Sequence, residues 1–391
     1  MKYLEGKFQI IAKTLPGLEE ILRGELLSLG ADNIHSLTRG AEFEGDKETL
    51  YKVNYCCRNA LRFLVPLTSF HAPNETLLYE RVKKIPWDSI FKVHQTFAID
   101  ANTFDSRISH SRYLTQKTKD AIADHFREKY SRRPTVNTED PEIRINIHLN
   151  NNTCTVSLDS SGGSLHLRGY RKRNSPAPLN EVLASGIIDM SGWNGTTDFI
   201  DPMCGSGTLV IEAAMKALKL PPGKIRKHYG LMNWLTFDDT LWNAVKQDAD
   251  DQILKTLPCR IEGSDADGNM ISVSRSHSTF AGVRPFISLK KANFLHRDAP
   301  FESGTLITNP PYGERIPLKE PERFYKTMGD TLKHKYTGYS AWILTADYKS
   351  AKHTGLRTSK KIRLYNGQLE CRLLNFEIYP GSLKKMPRNK T

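Results

Sequence analysis

Asn309-Pro310-Pro311-Tyr312 combines residue types suited to one demanding reaction. An amine conjugated to an aromatic ring is a poor nucleophile, because its lone pair is delocalised into the ring. It reacts when the nitrogen is held pyramidal with that lone pair aimed at an electrophilic methyl group. The Asn309 side-chain oxygen and the Pro310 carbonyl can each accept one amine hydrogen and hold this geometry. Two prolines restrict the backbone so that the acceptors converge, and Tyr312 offers a flat face on which a base stacks. No general base is needed, since the methylated nitrogen becomes strongly acidic. The competing reading of Pro-Pro-Tyr is a rigid turn or a short recognition ligand.

Two motifs upstream supply what such a reaction lacks. Asp201-Pro202-Met203-Cys204-Gly205-Ser206-Gly207-Thr208 leaves an expected strand and opens a helix. Its glycines permit a tight turn and close ligand approach, and the helix start presents free N–H donors to a carboxylate. By itself this turn could be purely structural. Gly263-Ser264-Asp265-Ala266-Asp267 ends the next strand, where an acid can take both hydroxyls of an adenosyl ribose. A dinucleotide fingerprint would carry a third glycine and an acid about 20 residues on. Val210 stands at that glycine position and the acid lies much farther away, which argues against a nicotinamide enzyme. The expected cofactor is S-adenosylmethionine.

The elements that must position these motifs follow from periodicity. Residues 181–391 alternate strand and helix: TTDFID, TLVIEAAMKALKL, CRIEGSDAD, NMISVSRSHSTFAG, TLITNPP, FYKTMGDTLKHKY, SAWILTAD. That order predicts a doubly wound, mostly parallel sheet, an α/β Rossmann-like domain. Within it, residues 221–258 are too long for an ordinary connection and read as a helical insertion. The front is α+β. FQIIAKT is a strand, and Leu18, Ile21, Leu22, Leu26 and Leu29 line one face of a helix that stops at Gly30. AEFEG is a strand, and ETLYKVNYCCRNALRFLV runs from helix to strand. TFAIDAN, the helix at 111–130 and the strands IRINIHLN and CTVSLDS, joined at Asn150–Asn152, form a second unit. The expected domains are 1–65, 66–165, a linker and closing segment at 166–180, and 181–391.

The chain carries a net charge of +13. Residues 1–170 hold 23 Lys and Arg against 21 acids, and residues 171–391 hold 33 against 22, so the excess sits in the second part. Such a balance suits a polyanion. Residues 107–133 hold eight Lys or Arg, among them Arg107, Arg112, Lys117, Arg132 and Arg133, against three acids. They read either as an RNA-binding cluster or as a solvated helix face. None of the six cysteines forms a CxxC pair, no zinc-like spacing occurs, and no apolar run approaches the roughly 20 residues of a membrane span. The expectation is a cytoplasmic protein with no metal and no membrane partner.

DPMCGSGT, GSDAD and NPPYGER, preceded by LHLRGYR and PAPLNE, resemble the bacterial guanine-N2 ribosomal RNA methyltransferases. The likeness is closest to the methyltransferase half of the bifunctional large-subunit enzymes and their single-headed relatives. RISHSRYLTQKTKDAIADHFREKYSRRPTV resembles the THUMP domain that they carry after a ferredoxin-like segment. The resemblance implies a class I methyltransferase domain behind a ferredoxin-like and THUMP RNA-binding region. It implies that Asp201, Cys204, Gly205, Ser206 and Gly207 surround the methionine part of the cofactor, that Asn180 and Glu181 close over it, that Asp265 takes the ribose and that Asn293 stands at the adenine position. It also implies Asn309, Pro310, Pro311 and Tyr312 as the target-amine site and N2 of a guanosine in 23S ribosomal RNA as the target. An adenine-N6 methyltransferase uses the same motif, but no separate target-recognition domain is visible. A non-catalytic RNA-binding assembly protein would not be expected to keep all the motifs intact.

Overall fold

The structure, a computed structural model, describes residues 4–171, 178–311 and 319–380. They divide into two units: residues 1–166 with 222–251, and residues 167–221 with 252–391.

The first unit is built on one sheet. Its strands are β1 (Phe8–Lys13), β2 (Asp32–Leu37), β3 (Gly40–Gly45), β4 (Arg62–His71), β5 (Phe97–Phe104), β6 (Ile143–Asn150) and β7 (Thr153–Asp159), in the order β2-β3-β1-β4-β7-β6-β5. Its helices are α1 (Glu19–Ser28), α2 (Lys47–Cys56), α3 (Glu75–Lys83) and α4 (Ser111–Tyr130). The sequence suggested two successive small units, yet β4 pairs with β1 on one side and β7 on the other, so they share a sheet. Pro66 falls where the β4–β7 register shifts, the place in a strand where a missing N–H is tolerated. Leu18, just before α1, and Leu22 and Leu26 within it are fully buried, while Ile21 and Leu29 of the expected face are half-buried. Asp46 and Asn74 cap α2 and α3 by accepting from Thr49 N–H (2.8 Å) and Leu77 N–H (3.0 Å). Asn151 and Asn152 both take positive φ, 48° and 59°, which closes the β6–β7 hairpin in two residues.

The second unit begins with α5 (Glu181–Met190), β8 (Phe199–Asp201) and α6 (Thr208–Ala217). The chain then returns to the first unit for residues 222–251, which contain α7 (Asp239–Asp250). This departs from the expected insertion inside 181–391, and aromatic packing is the reason. The Trp242 ring lies 5.6 Å from Tyr51, 5.9 Å from Tyr55 and 5.1 Å from Tyr229. Tyr55 Oη donates to Asp250 (2.8 Å), and Arg226 donates to the carbonyls of Ser161, Gly163 and Ser164 at 2.9–3.0 Å.

The second unit resumes with β9 (Ile261–Asp265), α8 (Gly268–Phe280), β10 (Ile287–Lys291), β11 (Gly304–Thr308), α9 (Pro321–Lys335), β12 (Tyr339–Thr345), α10 (Tyr348–Ala351), β13 (Lys360–Asn366) and β14 (Leu369–Glu377). Its sheet order is β10-β9-β8-β11-β12-β14-β13. The first five strands run parallel, and β14 is antiparallel to both neighbours. The chain leaves β8 and passes first to one side and later to the other. Such a switch point opens a crevice at the carboxyl ends of the strands, where open α/β sheets bind ligands.

Candidate active site

The motif residues lie at that switch point. Asp201 ends β8, Asp265 ends β9, and Asn309 follows Thr308 at the end of β11. They line a cavity of about 1410 Å³ together with Cys204, Gly205, Ser206, Asn293, Pro310 and Pro311. Tyr312 lies outside the described residues.

The glycine turn is fixed from three sides. Gly205 and Gly207 have φ of 52° and 86°, values that side chains with a Cβ rarely adopt. A Cβ on Gly207 would also stand 2.2 Å from Ser274 Oγ on α8. Gly205 N–H donates to Asp265 Oδ2 (2.9 Å), and Asp267 N–H donates to Asp265 Oδ1 (2.9 Å), so the ribose-type acid and the turn orient each other. The buried His277 ring contributes a further bond, Nδ1 to the Ser206 carbonyl at 3.2 Å. Asp201 is 2 % exposed and accepts from Thr308 Oγ1 (2.8 Å) and Met203 N–H (3.2 Å). Burial outweighs these bonds and pushes its carboxyl up to about 7. Burial also drives the Cys204 thiol well above its usual range, which leaves it a neutral packing group.

Asn180 and Glu181 have other partners and do not appear among the cavity-lining residues, whereas Pro178 and Leu179 do. Asn180 Oδ1 caps α5, accepting from Val182 N–H (2.9 Å) and Leu183 N–H (3.2 Å). Glu181, 3 % exposed, pairs with Arg171 Nε at 2.8 Å. Burial pushes its carboxyl up to about 7 against the pull of that guanidinium. Arg171 also donates to the Leu179 carbonyl and to Thr208 Oγ1 (2.9 Å), so it ties the closing segment to the start of α6. Asn293 lines the cavity, and its Oδ1 accepts from Leu295 N–H (3.0 Å).

At the target-amine motif, Asn309 Oδ1 is buried without a hydrogen-bond partner among the described residues. A buried unpaired oxygen is costly, and it is kept where a ligand completes it. The acidic and basic side chains lining the cavity are all carboxyl groups: Asp201, Asp265 and Asp267. The walls add Leu209, Met270, Phe294 and Phe324. An acid-rimmed, partly apolar crevice fits a cationic ligand with a flat heterocycle, and its volume leaves room for a second ring.

Sequence reasoning missed the Asn366–Leu369 turn between β13 and β14, which also lines the cavity. Gly367, at φ 67°, opens a two-residue hairpin loop. That glycine between two alternating runs was the available signal.

The basic cluster expected at 107–133 lies in the first unit. Lys119, Arg127 and Lys129 are ion-paired with Asp120, Asp124 and Asp88. Arg107, Arg112, Lys117, Arg132 and Arg133 form no ion pair among the described residues, and all but the half-buried Lys117 are exposed. Lys117 and Arg133 line a groove of about 760 Å³ beside α4. The solvated-face reading therefore accounts for three of the eight cations.

Sheet order, glycine turn, ribose-type acid and Asn-Pro-Pro together define a class I methyltransferase. The model described as RMKL-like, methyltransferase domain matches residues 168–375, the THUMP domain matches 72–159, and the RlmL ferredoxin-like domain matches 9–64. The chain belongs to the RMKL-like methyltransferase family. It is 38% identical over 364 residues to a putative RNA methyltransferase of Synechocystis sp., covering 93% of this chain and 95% of that one. It is also 38% identical over 387 residues to the ribosomal RNA large subunit methyltransferase K/L of Syntrophotalea carbinolica. That match covers 96% of this chain but 54% of the relative, so this chain spans about half of the K/L protein's length. Among solved structures, SMU.472, a putative methyltransferase complexed with SAH, superposes with a TM-score of 0.87 at 30% identity, covering 97% of this chain and all of that one.

No helix among the described residues is long and apolar enough to cross a membrane.

Proposed function

We propose that this chain transfers a methyl group from S-adenosylmethionine to the exocyclic N2 of a guanosine in 23S ribosomal RNA. The observation that carries this reading is the buried, unpartnered Asn309 Oδ1 at the end of β11, in a crevice whose acidic and basic lining side chains are all carboxyl groups. Bound S-adenosylmethionine supplies a methyl group on a positively charged sulfur. Asp265 takes the ribose hydroxyls, and the free N–H groups at the start of α6 take the carboxylate. Asn293 and the neighbouring Phe294 and Leu295 receive the adenine. Asn180 and Glu181 contribute at one remove: they hold the segment that brings Pro178 and Leu179 to the cavity.

Asn309 Oδ1 and the Pro310 carbonyl accept the two amine hydrogens and turn the nitrogen lone pair toward the methyl group. Pro311 keeps the backbone rigid and Tyr312 stacks on the base. In the first unit, Arg107, Arg112, Lys117, Arg132 and Arg133 take RNA phosphates, and such contacts fix register rather than read sequence. The relatives named for RNA and large-subunit ribosomal RNA support that partner, and the reading puts the protein in the cytoplasm.

The test is to incubate the protein and labelled S-adenosylmethionine with unmodified total RNA and to digest it to nucleosides. Label in N2-methylguanosine of large-subunit RNA is the expected result. Label in N6-methyladenosine would replace guanine by adenine as the target. Absence of RNA label beside normal cofactor binding would leave a non-catalytic RNA-binding protein.

A further inference from the structure

Most of the chain's positive charge lies outside the RNA cluster of the first unit. Residues 348–372 contain seven Lys and Arg against one carboxylate, Glu370. Glu370 is shared by two guanidinium groups, 2.8 Å from Arg372 Nη2 and 3.6 Å from Arg363 Nε. Arg363 and Arg372 stand directly opposite each other on β13 and β14. Like charges so placed repel, and the single carboxylate of Glu370 offsets only one of the two, which leaves a net positive site for a second anion.

Lys361 shares the Arg363 face of β13 by the two-residue period of a strand. Its Nζ donates to Tyr348 Oη at 2.6 Å and lies 4.4 Å from the centroid of that ring. Lys352 Nζ approaches the same ring at 5.3 Å. Neither lysine forms an ion pair among the described residues. The hydrogen bond from Lys361 and the nearby cations hold the half-buried Tyr348 phenol below its usual range.

Position links this surface to the chemistry. β13 is the outermost strand of its sheet. The hairpin turn at its end, Asn366–Leu369, lines the cavity that holds Asn309. At about 3.3 Å per residue, Arg363 stands about 10 Å and Lys361 about 17 Å along the strand from Asn366. Those spans correspond to a few phosphate spacings of a nucleic-acid strand.

We infer that Lys361, Arg363 and Arg372 of the β13–β14 hairpin, with Lys352 just after α10, form a phosphate-binding track for the RNA strand flanking the target nucleotide. This rests on the RNA reading above and adds a second, local grip beside the catalytic cavity. Tyr348, held by two lysines, gives the track an aromatic face on which a flanking base stacks.

The experiment compares the full-length protein with a K352Q/K361Q/R363Q/R372Q variant and a charge-conserving K352R/K361R/R363K/R372K variant. RNA affinity is measured on an unmodified large-subunit ribosomal RNA transcript between about 50 and 200 mM salt, the range over which phosphate contacts dominate. Methyl transfer by the parent is read in parallel, with melting temperature and cofactor affinity as controls. The glutamine variant should bind RNA at least about tenfold more weakly, with a log–log salt slope shallower by about 0.7 for each lost contact to a single strand. Its cofactor affinity should match the parent, and the charge-conserving variant should keep the parent slope. Lys361→Gln alone, with a slope change of about 0.7, carries the test should the fourfold variant not fold. A glutamine variant with parental affinity and slope, beside a parent that methylates RNA, overturns the track. So does an equal loss in the charge-conserving variant. A parent that neither binds nor methylates the RNA overturns the functional reading itself.

Discussion

The groove beside α4 and the cavity at the ends of β8, β9 and β11 solve opposite electrostatic problems. The groove, about 760 Å³, is lined by Lys117, Lys119, Arg127 and Arg133, with Asp120 and Asp124 neutralising part of that charge. The cavity, about 1410 Å³, has carboxyl groups as its acidic and basic lining, and one of them, Asp201, is fully enclosed. A cationic surface attracts a polyanion over long distance and discriminates little among its sequences. An acid-rimmed crevice with an unpaired amide oxygen suits a small cation and an amine donor. Grip and chemistry are thus separated by charge sign, and the first can be weakened without touching the second.

The largest expected effect comes from breaking the cavity's unpaired acceptor. Asn309→Ala should lower kcat by at least about a hundredfold, since the amine loses its orientation, while cofactor affinity by calorimetry stays near that of the parent. A parallel loss of cofactor affinity would show that Asn309 supports the cofactor instead. Asp265→Ala comes next: cofactor binding should weaken by roughly 1–3 kcal/mol through lost charge-assisted hydrogen bonds. Its bonds from Gly205 and Asp267 N–H mean that the turn loosens as well. Asp265→Asn, which retains one acceptor, should therefore lie between the parent and Ala. Unchanged affinity in both variants would remove Asp265 from the site.

On the groove side, reversing Arg132 and Arg133 to Glu should raise the RNA dissociation constant several-fold and flatten its salt dependence, by up to about 0.9 per lost duplex contact. Cofactor affinity should not move. Parental RNA binding in that variant would return these residues to a solvated role.

A last effect concerns pH and is read on stability, not on activity or binding. Asp201 has its folded pKa raised to about 7 by burial, well above its ordinary value of 3.8. Its contribution to stability is therefore complete below that ordinary value and is lost as pH rises toward 7. Asp201→Asn accepts the same bonds from Thr308 and Met203 without a charge. Its stability relative to the parent should rise between about pH 4 and 7, by at most about 1.4 kcal/mol per pH unit. Glu181, raised in the same range, is common to both proteins and cancels. A flat difference in urea midpoints across that range would mean that Asp201 is not buried as described.

Local chemistry made much of the site legible. Glycines at 205 and 207 announce a turn that needs positive φ, and an acid following a strand or an asparagine before two prolines announces an exposed strand end. Locality says less about partners supplied by other segments. The Asn180 side chain caps α5, as an asparagine before a helix suggests, but the ion pair of Glu181 with Arg171 has no signal in the neighbouring residues. The strands β2, β10, β13 and β14 went unread because β2 has little apolar alternation, β10 is only five residues long, and the other two follow the last motif.

By itself the sequence determined the α/β order of the second unit, the α+β character of the first, the three motifs and the net charge. Each of these depends on residues a few positions apart, whose sterics and hydrogen-bonding capacity act locally. Tertiary structure alone decided that β4 joins both halves of the front into one sheet, that residues 222–251 pack by Trp242 on Tyr51 and Tyr55, and that the Asn366–Leu369 turn reaches the cavity. These pairings bring together residues tens to almost two hundred positions apart. Their free energy comes from area buried in common and from partners supplied by distant segments, and neither leaves a periodic trace in the chain.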